Sequence, residues 1–176
     1  MSFLASLPSK AETINEKVVR IAKSYIGVKE TGNNRGKTID SMIVSLGGSK
    51  GSSWCGYFAG TVLNKAGAKE PKYRGGMAQG YITKKSIRAS RVAKGYYKVN
   101  PGDLIIWGKY KYNRNTGKGH IEINTNQIRA DSLEAVGGNT SGYSGGSTDN
   151  GDGVYPTKRT IKFYGNFKII YITPIS

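Results

Sequence analysis

Apolar positions recur at helical spacing in the first third of the chain and at strand-like spacing in much of the rest. Ile14, Val18, Ile21, Ala22 and Tyr25 fall on one helix face. Thr13-Ile14-Asn15-Glu16 fits a capping box, in which the Thr13 hydroxyl and the Glu16 carboxylate each take a free backbone N–H. Gly27 supplies the stop. Ile39, Met42, Ile43 and Leu46 predict a short second helix, closed by Gly47-Gly48. A third helix carries Phe58, Val62 and Leu63 on its buried stripe, with Ala59 and Ala66 beside them. It is expected to start near Ser52 or Ser53, both good N-cap residues, and to end at Gly67. Cys55 then falls in its first turn.

The pattern changes after this helix. Residues 69–98 are weakly patterned and basic, and suggest a short helix or two among surface loops. Asn100-Pro101-Gly102-Asp103 is a turn leading into a buried strand, Leu104-Ile105-Ile106-Trp107. A basic, tyrosine-bearing loop over 109–118 separates it from a second strand, Gly119-His120-Ile121-Glu122-Ile123. Residues 124–127 read as a hairpin turn, with further strands at 128–129 and 134–136, the last ended by Gly137-Gly138-Asn139. A Gly/Ser/Asp loop covers 141–153, and 160–172 reads as two strands turning at Gly165-Asn166. Helices first and an antiparallel sheet afterwards predict an α+β fold with the helices on one side. The 176 residues show no repeat and no long linker, so one domain over 1–176 is expected.

Charge narrows the class of partner. The chain holds 27 Lys+Arg against 11 Asp+Glu, a net +16, and such a field draws a protein to a polyanion. Nucleic acid, an anionic membrane surface and an anionic cell wall all qualify. No segment is long and apolar enough for a membrane-spanning helix, and the N-terminus lacks the basic start of a secretory signal. The expectation is a chain made in a host cytoplasm and released by lysis, injection or a particle. A single cysteine excludes an intramolecular disulfide. With a single histidine it also excludes the usual Cys/His zinc site within one chain, and neither metal nor cofactor is expected.

A lone Cys and a lone His can still act as a catalytic pair. At a helix N-terminus the backbone N–H groups and the dipole favour an anion, which lowers a thiol's pKa. His120, in an alternating strand, would be rigidly held there as a base. A third group should orient the imidazole through its other nitrogen. Asn139 is preferred, because an adjacent strand end can face the ring. Glu122 is the rival, two residues on from His120 and on the same strand face.

Several elements, in order, resemble the CHAP family of papain-like cysteine amidases and peptidases. They are Ile26-Gly27-Val28-Lys29-Glu30, Asn34-Arg35-Gly36, Trp54-Cys55-Gly56-Tyr57-Phe58, Pro101-Gly102-Asp103-Leu104, Gly119-His120-Ile121 and Gly138-Asn139. The Trp-Cys-x-x-Phe and Gly-His elements are the specific part. The resemblance implies a papain-like fold and hydrolysis of an amide bond in peptidoglycan by a small phage or bacterial enzyme. By position it gives Cys55 the nucleophile role, His120 the base role and Asn139 the orienting role. Many members carry a glutamate shortly before that asparagine; here the stretch is Val136-Gly137-Gly138, which leaves a Cys-His-Asn arrangement. Trp54 and Phe58 are expected beside the site, and Trp54, Asn34 and Glu122 are the residues assigned to border the substrate. Cys55 N–H is a natural oxyanion donor, with a second from the 48–53 loop or Asn34. Peptidoglycan and anionic wall polymers are then the expected partners of a monomer.

Other signals carry less. Two G-x-S-x-G matches, at 47–51 and 142–146, lack the strand-then-helix setting of a nucleophile elbow. Asp149 and Asp152 around Asn150-Gly151 do not complete a calcium loop. Tyr96-Tyr97-Lys98 and 109–112 mix tyrosine with lysine, but no nucleic-acid-binding motif accompanies them, and nucleic acid is not the expected partner. A cysteine protease acting on protein remains the other enzyme reading.

Overall fold

The capping box at Thr13 forms as the sequence predicts. The Thr13 hydroxyl accepts from Glu16 N–H, and the Glu16 carboxylate accepts from Thr13 N–H, at the start of helix α1, Ile14–Ser24. The computed structural model describes residues 10–141, 151–164 and 166–176, without the side chains of Phe163 and Tyr164. The second G-x-S-x-G match, Asp149 and the Gly165 turn residue therefore lie outside the described residues. Helix α2, Lys37–Ser45, buries Ile39, Met42 and Ile43. Helix α3, Cys55–Ala66, is buried over most of its length and stops at Gly67, whose left-handed φ of 78° suits a residue without a Cβ.

The start of α3 differs from expectation. Trp54 is its N-cap and makes no side-chain capping bond, so the helix opens at Cys55 itself. The two serines are engaged elsewhere. Ser52 donates to the Ser49 carbonyl at 2.6 Å, and the Ser53 hydroxyl pairs with Asn139.

A 3-10 turn at Ala78–Tyr81, strand β1 at Ile87–Arg88 and helix α4 at Ala89–Ala93 fill the basic middle region. Strands β2 (Leu104–Lys111), β3 (Arg114–Asn115), β4 (Ile121–Arg129), β5 (Ser132–Thr140), β6 (Gly153–Thr160), β7 (Phe163–Tyr164) and β8 (Phe167–Thr173) complete the sheet. Its order is β1-β8-β2-β4-β5-β6, with β3 on β2 and β7 on β8, and every pairing is antiparallel. The fold is therefore α+β, as expected, but the helices are not all on one side: Ala89 and Val92 of α4 pack with Ile105 and Trp107, on the face opposite α1, α2 and α3. Among the described residues no helix is long and apolar enough to cross a membrane.

Both faces of the central strands are covered. Leu104 and Ile106 of β2 join the core under α1, α2 and α3, while Ile105 and Trp107 join a second cluster with Val92, Leu133 and Ile172. A strand buried on both faces reads as an unbroken apolar run, which is what the sequence shows there.

Three loop expectations are corrected. The 109–118 loop is a hairpin: β2 runs on to Lys111 and turns at Tyr112 and Asn113, both at positive φ, as a two-residue primed turn requires. The 124–127 turn is instead part of β4. Its amides serve the neighbouring loop, Asn124 donating to the Asn100 carbonyl and Gln127 accepting from Val99 N–H. Gly137-Gly138-Asn139 does not end a strand but lies inside β5. The small residues admit what packs on them, since a Cβ on Gly138 would sit 2.7 Å from Phe58 and Trp54.

Candidate active site

Four elements bring the candidate residues together: the first turn of α3, β4 with the residue just before it, and the paired strands β5 and β6. Cys55 opens α3 and is 4% exposed; His120 directly precedes β4 and is 1% exposed. The beginning of α3 is anchored on each side. Trp54 is completely buried and donates from Nε1 to Glu30 Oε1 at 2.9 Å, while Glu30 Oε2 accepts from Asn34 N–H at 2.8 Å. Tyr81 donates to the Gly56 carbonyl at 2.6 Å.

Asn139 completes the anchoring. Oriented so that both ends of its amide are satisfied, it accepts from Trp54 N–H at 3.2 Å and from the Ser53 hydroxyl at 2.9 Å. Its amide nitrogen donates to the Gly151 carbonyl at 2.8 Å. Its backbone adopts a left-handed φ of 54°, a conformation asparagine tolerates better than most residues. Asn139 thus fastens the residues just before Cys55 to the sheet, rather than facing the imidazole.

The group that faces the imidazole is Glu122. Its Oε1 lies 3.7 Å from His120 Nε2, in ion-pair range though beyond a hydrogen bond. Nε2 has no hydrogen-bond partner among the described residues. Glu122, the rival two residues on, thus takes the place expected of Asn139, and His120 itself sits just before the strand begins. The position opposite Glu122 on β5 is Gly137. A Cβ there would stand 3.0 Å from Glu122 Cγ and 3.3 Å from His120 Nε2. The missing side chain at Gly137 is the space that the carboxylate of Glu122 and the ring share.

Glu122 is itself held by a buried cage. Arg159 of β6 donates from Nε to both carboxylate oxygens at 3.0 Å and from Nη2 to Oε1 at 2.7 Å. Thr157 donates to Oε1 at 3.0 Å and the Trp107 indole to Oε2 at 3.1 Å. The Arg159 guanidinium also lies over the Trp107 ring, 5.3 Å from its centroid. Sequence reading missed Arg159 and Thr157. Their signal was the alternation along 153–160, which places both on one face of an unrecognised strand.

The electrostatics follow from these contacts. Burial pushes the Glu122 pKa up, but the Arg159 charge and His120 reverse it and hold the carboxyl far below the usual range. Burial pushes His120 down; its interactions with Cys55 and with the Glu122 charge outweigh that and raise it to about 9. Burial likewise raises the Cys55 thiol, yet His120 and then the N–H groups of Ile121 and Gly56 bring it below its ordinary value. The arrangement favours a thiolate beside an imidazolium with a carboxylate behind it.

The residues expected to border a substrate separate. Trp54 and Glu122 are fully buried and offer no surface to a ligand. Asn34, at a left-handed φ of 53°, is 9% exposed, and its Oδ1 has no partner among the described residues. Among the described residues no three His, Cys, Asp or Glu side chains group to hold a metal. No family model, no curated protein and no solved structure matches this chain.

Proposed function

We propose that this protein is a cysteine hydrolase of the papain-like type that cleaves an amide bond in peptidoglycan. The observation that carries the reading is the burial of Cys55, at the opening of α3, and of His120 at one site, with Glu122 Oε1 3.7 Å from the imidazole Nε2 and His120 acting to lower the thiol's pKa. The substrate class is supported by the resemblance of the Trp54-Cys55, Gly119-His120 and Gly138-Asn139 elements to the CHAP family.

In this reading the Cys55 thiolate attacks the scissile carbonyl carbon, forming a C–S bond and a tetrahedral oxyanion. The Cys55 N–H, in the first turn of α3, is the oxyanion donor on this chain. Collapse breaks the C–N bond as the imidazolium gives its proton to the leaving amine. His120, now neutral, takes a proton from water, which attacks the thioester and releases the acid and the thiolate. Glu122 fixes the ring and stabilises its charged form, and Asn139 holds the helix opening in register. The catalytic set becomes Cys55, His120 and Glu122 in place of Cys-His-Asn. The carboxylate comes from β4, across from Gly137, where many relatives of the resembling type carry it shortly before the asparagine.

The same reading makes the protein a wall-degrading enzyme, either a phage lysis or virion component or a bacterial effector. Its test is release of soluble fragments from purified peptidoglycan, with mass analysis of the products. Wild type should release them and Cys55→Ala should fall at least about a thousandfold. Equal release by both sinks Cys55 as the nucleophile. No release by either, with cleavage of casein by wild type, moves the substrate to protein.

A further inference from the structure

Strand β8 has one covered edge and one broken edge. Along its inner edge β2 pairs with it from Phe167 to Thr173. On the outer edge β7 pairs with Phe167 and Lys168, and β1 pairs with Tyr171 and Ile172. No described strand pairs with Ile169 and Ile170 on that outer edge. A cleft of about 650 Å³ opens at this gap. Its size falls in the range of sites that hold a small ligand or one segment of a longer one.

The chemistry of the cleft is one-sided. Four cations line it, Arg88, Lys94, Lys162 and Lys168, and no acidic side chain does so among the described residues. Ala93, Ile161 and Ile170, all half-buried, give it an aliphatic lining, and Ser90 adds a hydroxyl, while the Asn115 amide is already paired with Gln79. Two tyrosines border it, but neither is an open stacking platform. Lys168 Nζ lies 5.3 Å from the Tyr110 ring centroid, and Tyr171 packs against the core. Single-stranded nucleic acid binds through exposed aromatic faces as well as charge, and this cleft supplies the charge without them. None of the lining residues belongs to α3, β4, β5 or β6, the elements that carry Cys55, Glu122, Asn139 and Arg159.

We propose that this cleft binds a phosphodiester polyanion whose repeating unit is a polyol. Its cations meet the phosphates, the Ser90 hydroxyl meets a hydroxyl of the polyol, and its aliphatic lining meets the carbon chain. The identification of that polymer as an envelope component rests on the function proposed above; the chemistry of the cleft does not. A site of this kind keeps the enzyme on the surface that it cuts, because a tethered catalytic centre meets its substrate at raised effective concentration.

The test compares three proteins: wild type, Arg88→Glu/Lys94→Glu in the cleft, and Lys10→Glu/Lys23→Glu at exposed positions in and just before α1. The two variants carry equal net charge, and thermal melts establish that both fold. The probes are a poly(glycerol phosphate) oligomer and oligodeoxythymidylate of equal charge, with Kd measured across a salt series. The cleft variant should bind poly(glycerol phosphate) about tenfold more weakly or worse, with a flatter salt slope, while the control variant stays within about twofold. Equal losses in both variants overturn the site in favour of diffuse charge. Absence of wild-type binding to poly(glycerol phosphate) also overturns it. Tighter wild-type binding of the oligonucleotide, lost in the cleft variant, makes the cleft a nucleic-acid site instead. Fragment release from peptidoglycan stripped of anionic polymer reports the catalytic reading by itself: loss there with intact polymer binding removes the hydrolase and leaves the cleft standing.

Discussion

Glu122 and Asp103 are both buried carboxylates, 0% and 1% exposed, and the fold treats them in opposite ways. Asp103 sits in the turn before β2 and accepts from Asn100 N–H at 2.9 Å and from the Tyr97 hydroxyl at 3.4 Å. Burial dominates there and raises its pKa to about 6. Glu122 is buried at least as deeply, yet the adjoining Arg159 and His120 keep it ionised far into acid. Neutral donors serve a carboxyl that closes a turn. A paired guanidinium is needed where a fixed negative charge must stand behind an imidazolium.

Removing the guanidinium is the strongest way to break this contrast. Arg159→Met leaves Glu122 buried without its counter-charge, which costs about 3–5 kcal/mol of stability. Thermal melts should show the loss, and the double variant Arg159→Met/Glu122→Gln should recover part of it, because no buried charge is left unpaired. A single variant as stable as wild type overturns the pairing as the reason that Glu122 stays ionised.

Glu122→Gln sharpens the contrast at the level of activity. Without the carboxylate, the imidazolium keeps Cys55 but loses the second of the two neighbours that raise it to about 9, and its pKa falls. The ion pair with Cys55 then dissolves at lower pH, so the alkaline limb of the pH–rate profile should move down from about 9. At mildly alkaline pH kcat/KM should fall about a hundredfold, the scale of a mispositioned general acid–base. A lower rate with an unmoved alkaline limb assigns Glu122 to stability alone.

The two carboxylates also mark what the sequence could and could not disclose. Asp103 was readable, because Asn-Pro-Gly-Asp is local turn chemistry. The capping box at Thr13 and the glycine stop at Gly67 were readable for the same reason: each depends on short-range pattern. The role of Glu122 was not readable. It depends on Gly137 lying opposite and on Arg159 arriving from β6, 37 residues away in the chain. Asn139 was found as a residue of the site but placed in the wrong bond. Its neighbourhood with Trp54 and Ser53 is a contact 86 residues apart that no periodicity encodes. The broken edge of β8 was invisible too, since it arises from two short strands that each stop before reaching the other.

Asp103 itself supplies the smallest and most selective check. Its folded pKa of about 6 lies above the ordinary value of 3.8, so the folded chain holds a proton that the unfolded chain releases. Its contribution to stability is fully present below the unfolded value and is lost as pH rises through about 6. Asp103→Asn keeps the shape, removes the titration and should flatten the fall in Tm between pH 4 and pH 6.5, an effect of about 1–2 kcal/mol. Activity per folded molecule should not change, because Asp103 lies outside the set around Cys55. A variant that instead lost the alkaline limb along with that fall in Tm would mean that both carboxylates act on the imidazole, and the distinction between a carboxyl that closes a turn and one that backs the imidazole would collapse.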